Sequence, residues 1–425
     1  MKMKADATPK SLNVLISGAG IAGPATAFWL SRLGHKCTII ERFPSIRENG
    51  LQIDVRKEGV EAMRRMGLLG EVKKYVVDEP GTEFVDAKGK RVALFPKIEE
   101  DKDGKQGFTS EYEIMRHDLV KVLVEASKEN VTYRFDISVS EFDNKEDCVV
   151  VTFSDGSVET FDLLIGADGQ GSRIRKMLLK SQGIEKDHTV NMGIYMAFFR
   201  TPRIPETEKM TTMYIGTRQR MLMTRVHSET EGQVYLGVKG HIDELDDALA
   251  KNVDTQKQVF GKLFKDAGWR AEELVDAMDK STDFYASPTN MIRSDLWFKN
   301  RVVLVGDAGY SPTALTGMGT SVALIGATIL AGEISKHGVD NLQAAFEAYE
   351  NAFRPYVETV QDIPSIIVRG PYCEGSAKRR FVNLLLSTTT KLKLHKVFQT
   401  LILRANDPFR IPTYPELEKV SGVKA

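Results

Sequence analysis

Residues 12–41 read LNVLISGAGIAGPATAFWLSRLGHKCTIIE, and the order of the parts decides the fold. Leu12–Ser17 is an apolar run of strand length, Ala22–Leu33 has helical length, and Gly34 stands where a helix C-cap belongs. Lys36–Ile40 is a second apolar run, ending at Glu41. Between first strand and helix lies Gly18-Ala19-Gly20-Ile21-Ala22-Gly23, a GxGxxG. Gly18 permits the tight turn, Gly20 lets the backbone approach a pyrophosphate, and Gly23 lets helix pack on strand. The helix start offers its N–H groups to phosphate. Glu41 follows Gly23 by 18 residues, near the ~20-residue spacing of an acid that accepts from a ribose hydroxyl. The unit predicts an α/β, Rossmann-like dinucleotide-binding domain. By itself it does not separate FAD from NAD.

Two further stretches bear on that choice. One is Asp162–Arg175 (DLLIGADGQGSRIR); the other is Arg301–Tyr310 (RVVLVGDAGY), followed by Leu315–Thr320 (LTGMGT). Each has an apolar strand that delivers an aspartate, Asp168 or Asp307, at its C-terminal end, where open α/β sheets bind ligands. Gly317 and Gly319 precede an apolar helix whose N-terminal N–H groups can face an anion. Between these pieces the style changes. Residues 193–200 (GIYMAFFR), 211–216 (TTMYIG), 220–226 (RMLMTRV) and 232–238 (GQVYLGV) are strand-like, and residues 243–280 are charged and helical. The Ser154–Ser157 turn between 148–153 and 158–166 is a hairpin signal. The expected division is a discontinuous nucleotide-binding domain from 1–75, 105–184 and 285–370, an inserted β-sheet domain from 76–104 and 185–284, and a C-terminal helix and tail over 371–425.

Taken together, GxGxxG, DGxxSxxR and GDA-then-GxG in this order resemble the single-component FAD-dependent aromatic hydroxylases of the para-hydroxybenzoate hydroxylase type, across nearly the whole chain. The spacing of Glu41, Arg42, Arg47, Gly50 and Asp54 is similar to that of the tetracycline-inactivating monooxygenases. The resemblance implies FAD as cofactor, with NADPH or NADH visiting transiently, since no second strand-borne GxGxxG is present. It places Glu41 at the adenosine ribose, Asp54 and Arg116 at FAD, Asp307 at the ribityl chain, Arg47 where NADPH approaches, and Asp168 at both. The Gly317–Gly319 helix start would stabilise negative charge on the reduced ring. It puts Arg220, Tyr235 and Gly237 toward substrate; alternation sets Met221, Met223 and Arg225 on one strand face, Arg220 and Leu222 on the other. The pattern is broken by Tyr310 in place of His, Ala314 of Pro, Met318 of Gln and Ser321 of Asn, all expected on the reactive side of the flavin.

The implied function is NAD(P)H- and O₂-dependent hydroxylation or epoxidation of a bulky aromatic or polycyclic small molecule through a flavin C4a-hydroperoxide. An oxidase or dehydrogenase that takes hydride from substrate is the open alternative, and a non-catalytic flavin binder a further one. A halogenase is disfavoured: Trp29, Trp269 and Trp297 form no Trp-x-Trp pair. The 58 basic and 58 acidic residues argue against nucleic acid as partner. Cys37, Cys148 and Cys373 suit neither a disulfide framework nor a metal site, and the seven His are scattered, so a reducing, cytoplasmic setting without metal is expected. Residues 1–10 are polar, unlike a signal peptide, and the apolar window 321–334 is shorter than the ~20 residues that span a bilayer. The run 99–106 reads as a solvated loop, residues 391–404 as a basic amphipathic helix packed on the protein's own surface, and the chain as a monomer by default.

Overall fold

The computed structural model describes residues 10–47, 50–98, 107–202, 209–394 and 409–422. The polar start over 1–9, the run 99–106 and most of the amphipathic stretch 391–404 lie outside the described residues.

A six-stranded sheet carries the first half of the molecule. Its order is Phe298–Lys299, Val302–Leu304, Leu163–Gly166, Asn13–Ser17, Lys36–Glu41, Val131–Phe135, and only the first pair is antiparallel. Val14, Leu15 and Ile16 of the central strand are wholly buried because both faces are covered, so the run is apolar without alternation. Val14 and Ile16 meet the helices Ala22–Arg32, Arg116–Ser127 and Gly319–His337. Leu15 meets the helix Arg173–Ser181 and a three-stranded antiparallel sheet built on the expected hairpin. Trp29 Nε1 donates to Thr328 Oγ1 at 3.1 Å and fastens the fingerprint helix to Gly319–His337.

The second sheet has seven strands, in the order Tyr285–Ile292, Thr189–Pro202, Glu231–Lys239, Arg220–Val226, Thr211–Ile215, Gly81–Val85, Arg91–Pro96. All pairs are antiparallel except Thr211–Ile215 with Gly81–Val85. Leu222, Val234, Leu236 and Val238 point to a layer of three helices, Ile242–Leu249, Val253–Phe264 and Ala271–Lys280. Met196, Phe198, Met221 and Tyr235 point the other way, and Leu51 and Leu315 of the first half pack against them. The Tyr285–Ile292 strand pairs with Thr189–Pro202, so this sheet runs eight residues past the expected boundary at 284.

Beyond residue 370 the chain divides. The helix Ser376–Lys391 lies on the Arg91–Pro96 edge, whereas Phe409 stacks on Tyr356 at 4.4 Å and Tyr414 donates to Glu333 Oε1 at 2.8 Å, back on the first core. Among the described residues no single helix is long and apolar enough to cross a membrane. Gly319–His337 is buried from Thr320 to Ile334 inside the protein.

Candidate cofactor and substrate site

The fingerprint glycines are fixed by close approaches. Gly18 has φ +113°, its N–H donates to Ile40 O at 2.8 Å, and a methyl placed on it would stand 2.5 Å from Ala167 O. A methyl on Gly23 would lie 2.0 Å from Gly18 O, so helix and turn touch backbone to backbone. The helix start at Ala22 has no side-chain cap, and Pro24 in its first turn has no N–H to lose. Glu41 accepts from Ala19 N at 3.0 Å and Phe43 N at 3.2 Å, which leaves each oxygen a free lone pair for a hydroxyl.

Arg116 reaches into the turn from the start of its helix. Its Nη2 would be 3.3 Å from a methyl on Gly20, and its stem passes under Gly50. The guanidinium has no hydrogen-bond or ion-pair partner among the described residues, and it faces Glu41, Asp307 and Arg47 across the cleft. Burial, then Arg47, pulls its pKa below the ordinary arginine value. Arg42 and Arg47 stay exposed at the mouth, each 4.9 Å over the Phe43 ring. Burial raises the Asp307 carboxyl, with Ser311 as its hydrogen-bond partner and Arg116 and Arg175 opposing the shift.

Gly306 and Asp307 end the neighbouring strand against the fingerprint helix; a methyl on Gly306 would stand 2.7 Å from Ala22 Cβ. Beyond them the helix at Gly319 also begins uncapped, after Gly317 at φ +62°. Asp54 Oδ2 would be 3.2 Å from a methyl on Gly317 and pairs with Arg56 Nη2 at 3.1 Å. Asp54 Oδ1 and Arg56 Nε are buried without partners. Thr313 in the same turn takes φ +68°, strained for a β-branched residue, with its hydroxyl buried and unpaired. A glycine cradle, two uncapped helix starts, an unpartnered guanidinium and an orphaned carboxylate oxygen form the donor and acceptor set that an FAD needs, and the residues fit that group.

Three expectations need correction. Asp168 does not offer its carboxylate to the cleft: Ser172 Oγ (2.5 Å), Arg173 N (2.7 Å) and Ile174 N (3.3 Å) donate to it and start the next helix. Only its backbone adjoins Gly18. Arg220 lies on the helix-covered face of the large sheet, where it pairs with Asp266 and donates to Leu263 O (2.6 Å) and Thr217 O (3.1 Å). Tyr310 and Ser321 do not line the reactive side. Tyr310 is sunk among Trp297, Tyr349 and Phe353, 2.7 Å from the Tyr349 hydroxyl, and Ser321 Oγ accepts from Arg56 N at 2.8 Å.

Two variants check these placements. Arg220→Ala is expected to cost about 2 kcal/mol in thermal unfolding, because buried carbonyls lose their donor, while substrate-dependent NADPH oxidation is unchanged. Tyr310→Phe removes one buried hydrogen bond and is expected to cost about 1 kcal/mol, with turnover intact in the same oxidation assay.

Tyr235 and Gly237 do share the face turned to the cleft. A methyl on Gly237 would meet Met196 Sδ at 2.7 Å and Tyr372 Oη at 2.9 Å, so glycine makes room for a phenol there. Phe198 stacks on Tyr285 at 5.0 Å, and burial pushes the Tyr285 hydroxyl up to about 12 beside Arg116 and Arg47. Tyr235 donates to Gln233 Oε1 at 3.1 Å, and that oxygen also takes Gln52 N at 3.0 Å. Behind this pair Arg225 is held by Glu79 and Glu113, each carboxylate 1% exposed. Burial is the largest single influence and opposes the charge on Arg225, but Glu79, Tyr235 and Asp54 together outweigh it and raise the pKa.

Sequence reasoning missed this cluster, and it missed Arg175. The latter is buried, pairs with Asp187 at 2.9 Å and donates to Ala308 O and Gln170 O, each at 2.8 Å. It ties the DGxxSxxR loop to the GDA loop, which is the signal its motif position carried.

Comparison with known proteins agrees with this geometry. Residues 11–362 match the FAD binding domain family. The FAD-dependent monooxygenase asL4 of Sarocladium schorii is 38% identical, over 96% of this chain and 99% of its own. The flavin-dependent monooxygenase eupH of a Phoma species is 37% identical, over 84% and 87%. The crystal structure of the tetracycline destructase Tet(55) superposes with a TM-score of 0.76 at 27% identity, covering 96% of this chain and all of that one. The chain thus belongs to the FAD binding domain family, as an FAD-dependent monooxygenase of the para-hydroxybenzoate hydroxylase type.

Proposed function

We propose that this monooxygenase oxygenates a neutral, flat, lipophilic aromatic or polycyclic molecule, with NADPH or NADH as hydride donor. The observation that carries the substrate class is the sheet face of Met196, Phe198, Met221, Tyr235 and Tyr372. It offers apolar surface and phenol hydroxyls, and the guanidinium on it, Arg225, is already engaged by two carboxylates and so is not free to pair with an anionic substrate. A substrate with ring oxygens would bury its faces on this wall and bond at its edge. Tet(55), a destructase of the fused-ring tetracyclines by its name, has the same fold.

FAD when bound supplies the redox chemistry, carrying electrons from the nicotinamide to O₂. The chain's own residues hold and shield it. Glu41 would accept from the ribose. Arg116 and the N–H groups at Ala22 and Gly23 would neutralise the pyrophosphate, Gly18 and Gly20 giving it room. Asp307 would accept from the ribityl chain, Asp54 would bond near the ring, and the uncapped N–H groups at Gly319 would favour negative charge there. Arg42 and Arg47 would draw the nicotinamide phosphate to the mouth. In this division the pieces 1–75, 105–184 and 293–370 hold the cofactor, and the large sheet excludes water. The free state of Cys37, Cys148 and Cys373 supports a cytoplasmic setting.

The test is the visible spectrum during anaerobic NADPH addition, with and without a panel of phenolic and fused-ring ligands. Bleaching of the flavin band that quickens with one neutral ring class is expected. Quickening only by charged ligands would overturn the substrate class, and bleaching by ligand alone would restore the oxidase alternative.

A further inference from the structure

Eleven large apolar side chains are exposed among the described residues, and six of them fall between Ile366 and Leu394. Phe381 is 67% exposed, Leu384 65%, Leu392 63%, Leu394 48% and Leu385 41%. They are not the loose side of a frayed end. The helix Ser376–Lys391 is pinned from beneath by buried Leu386, by Arg379 donating to Tyr214 Oη at 3.0 Å, and by Lys378 donating to Tyr372 O at 3.2 Å. Phe381, Leu384, Leu385 and Leu392 recur at helical spacing on the outward face.

Charge is segregated in the same place. Residues 376–394, SAKRRFVNLLLSTTTKLKL, contain Lys378, Arg379, Arg380, Lys391 and Lys393 and no Asp or Glu, in a chain whose total charge is zero. Arg380 stands at one end of the apolar patch and Lys391 and Lys393 at the other. An anchored helix with an apolar outer face and basic ends matches the layering of an anionic bilayer surface, with apolar side chains below the headgroups and cations among them. Its 16 residues fall short of the ~20 that span, so it would lie flat.

We propose that this face docks the enzyme on an anionic lipid membrane. The experiment is flotation of the FAD-loaded full chain with vesicles of phosphatidylcholine alone, or of phosphatidylcholine with phosphatidylglycerol, at low and high salt. The enzyme is expected to float with the anionic vesicles only, and less as salt rises. The double variant Phe381→Ser, Leu384→Ser is expected to partition about tenfold more weakly, and Lys391→Glu, Lys393→Glu to lose the preference for anionic lipid, both with NADPH oxidation unchanged. Failure to float with anionic vesicles, equal flotation with both compositions, or undiminished binding by the Phe381 and Leu384 variant would overturn the proposal. So would a dimer in sedimentation that the same variant splits, since the face would then belong to a second copy.

Discussion

A Gly23→Ala protein is expected to emerge colourless and destabilised. The added methyl would sit 2.0 Å from Gly18 O and 3.2 Å from Gly18 C. Both atoms are backbone, so no rotamer relieves the contact and the helix must withdraw from the turn. Withdrawal moves the uncapped N–H groups away from where the phosphates lie, so stability and cofactor fail together. A cost of about 3 kcal/mol or more follows from overpacking without relief. Gly20→Ala is the control. Its methyl meets only Arg116 Nη2 at 3.3 Å, the far end of a flexible side chain. That variant is expected to keep its melting temperature and bind FAD more weakly. Flavin absorbance and thermal unfolding of the two proteins check both statements, and equal melting temperatures would defeat the argument.

Replacement of Arg225 by Met is expected to cost about 3–5 kcal/mol, because it strands buried charge. Glu79 and Glu113 face the same guanidinium, and Thr211 and Gln52 donate to them but bring no charge. Without Arg225 the two buried carboxylates keep only those neutral donors against desolvation and their mutual repulsion. Adding Glu79→Gln should recover part of the loss at neutral pH. Urea unfolding of the single and double variants measures this; a double variant no more stable than the single one would show that the cluster does not act through charge.

Much of the cofactor half was legible because its signals are local. Strand, GxGxxG, helix and Glu41 follow one another in the chain, and Gly18 and Gly23 are demanded by backbone contacts that no side chain can replace. The large sheet was legible as strands but not as sides. Period-two alternation sorts Arg220 from Arg225, yet both faces are buried, and nothing local says which one a cofactor sees. Arg220 therefore went to the wrong face. Glu79 and Glu113 gave no signal, since an acid in a loop or a strand ordinarily reads as solvent-facing, and here the two are buried only because the strand Arg220–Val226 brings Arg225 to them. Asp168 looked like a ligand by motif; its Ser172 partner spends the carboxylate on starting a helix. Tyr310 departs from the family pattern without touching the reactive side, because the ring turns down into an aromatic cluster.

The sheet order has a consequence for biosynthesis. The strand Asn13–Ser17 and its glycines leave the ribosome before their partners, since Leu163–Gly166 pairs with that strand, and Val302–Leu304, which delivers Asp307, pairs with Leu163–Gly166. The turn at Gly18 leans on Ala167, and the fingerprint helix on Gly306. A nascent chain ending before Val302 thus exposes a complete motif and an incomplete cradle. Loading of FAD is expected only once that strand is in place, and stalled chains released before it are expected to bind no flavin. Until then the half-built sheet carries an open parallel edge, the stage at which chaperones would matter most.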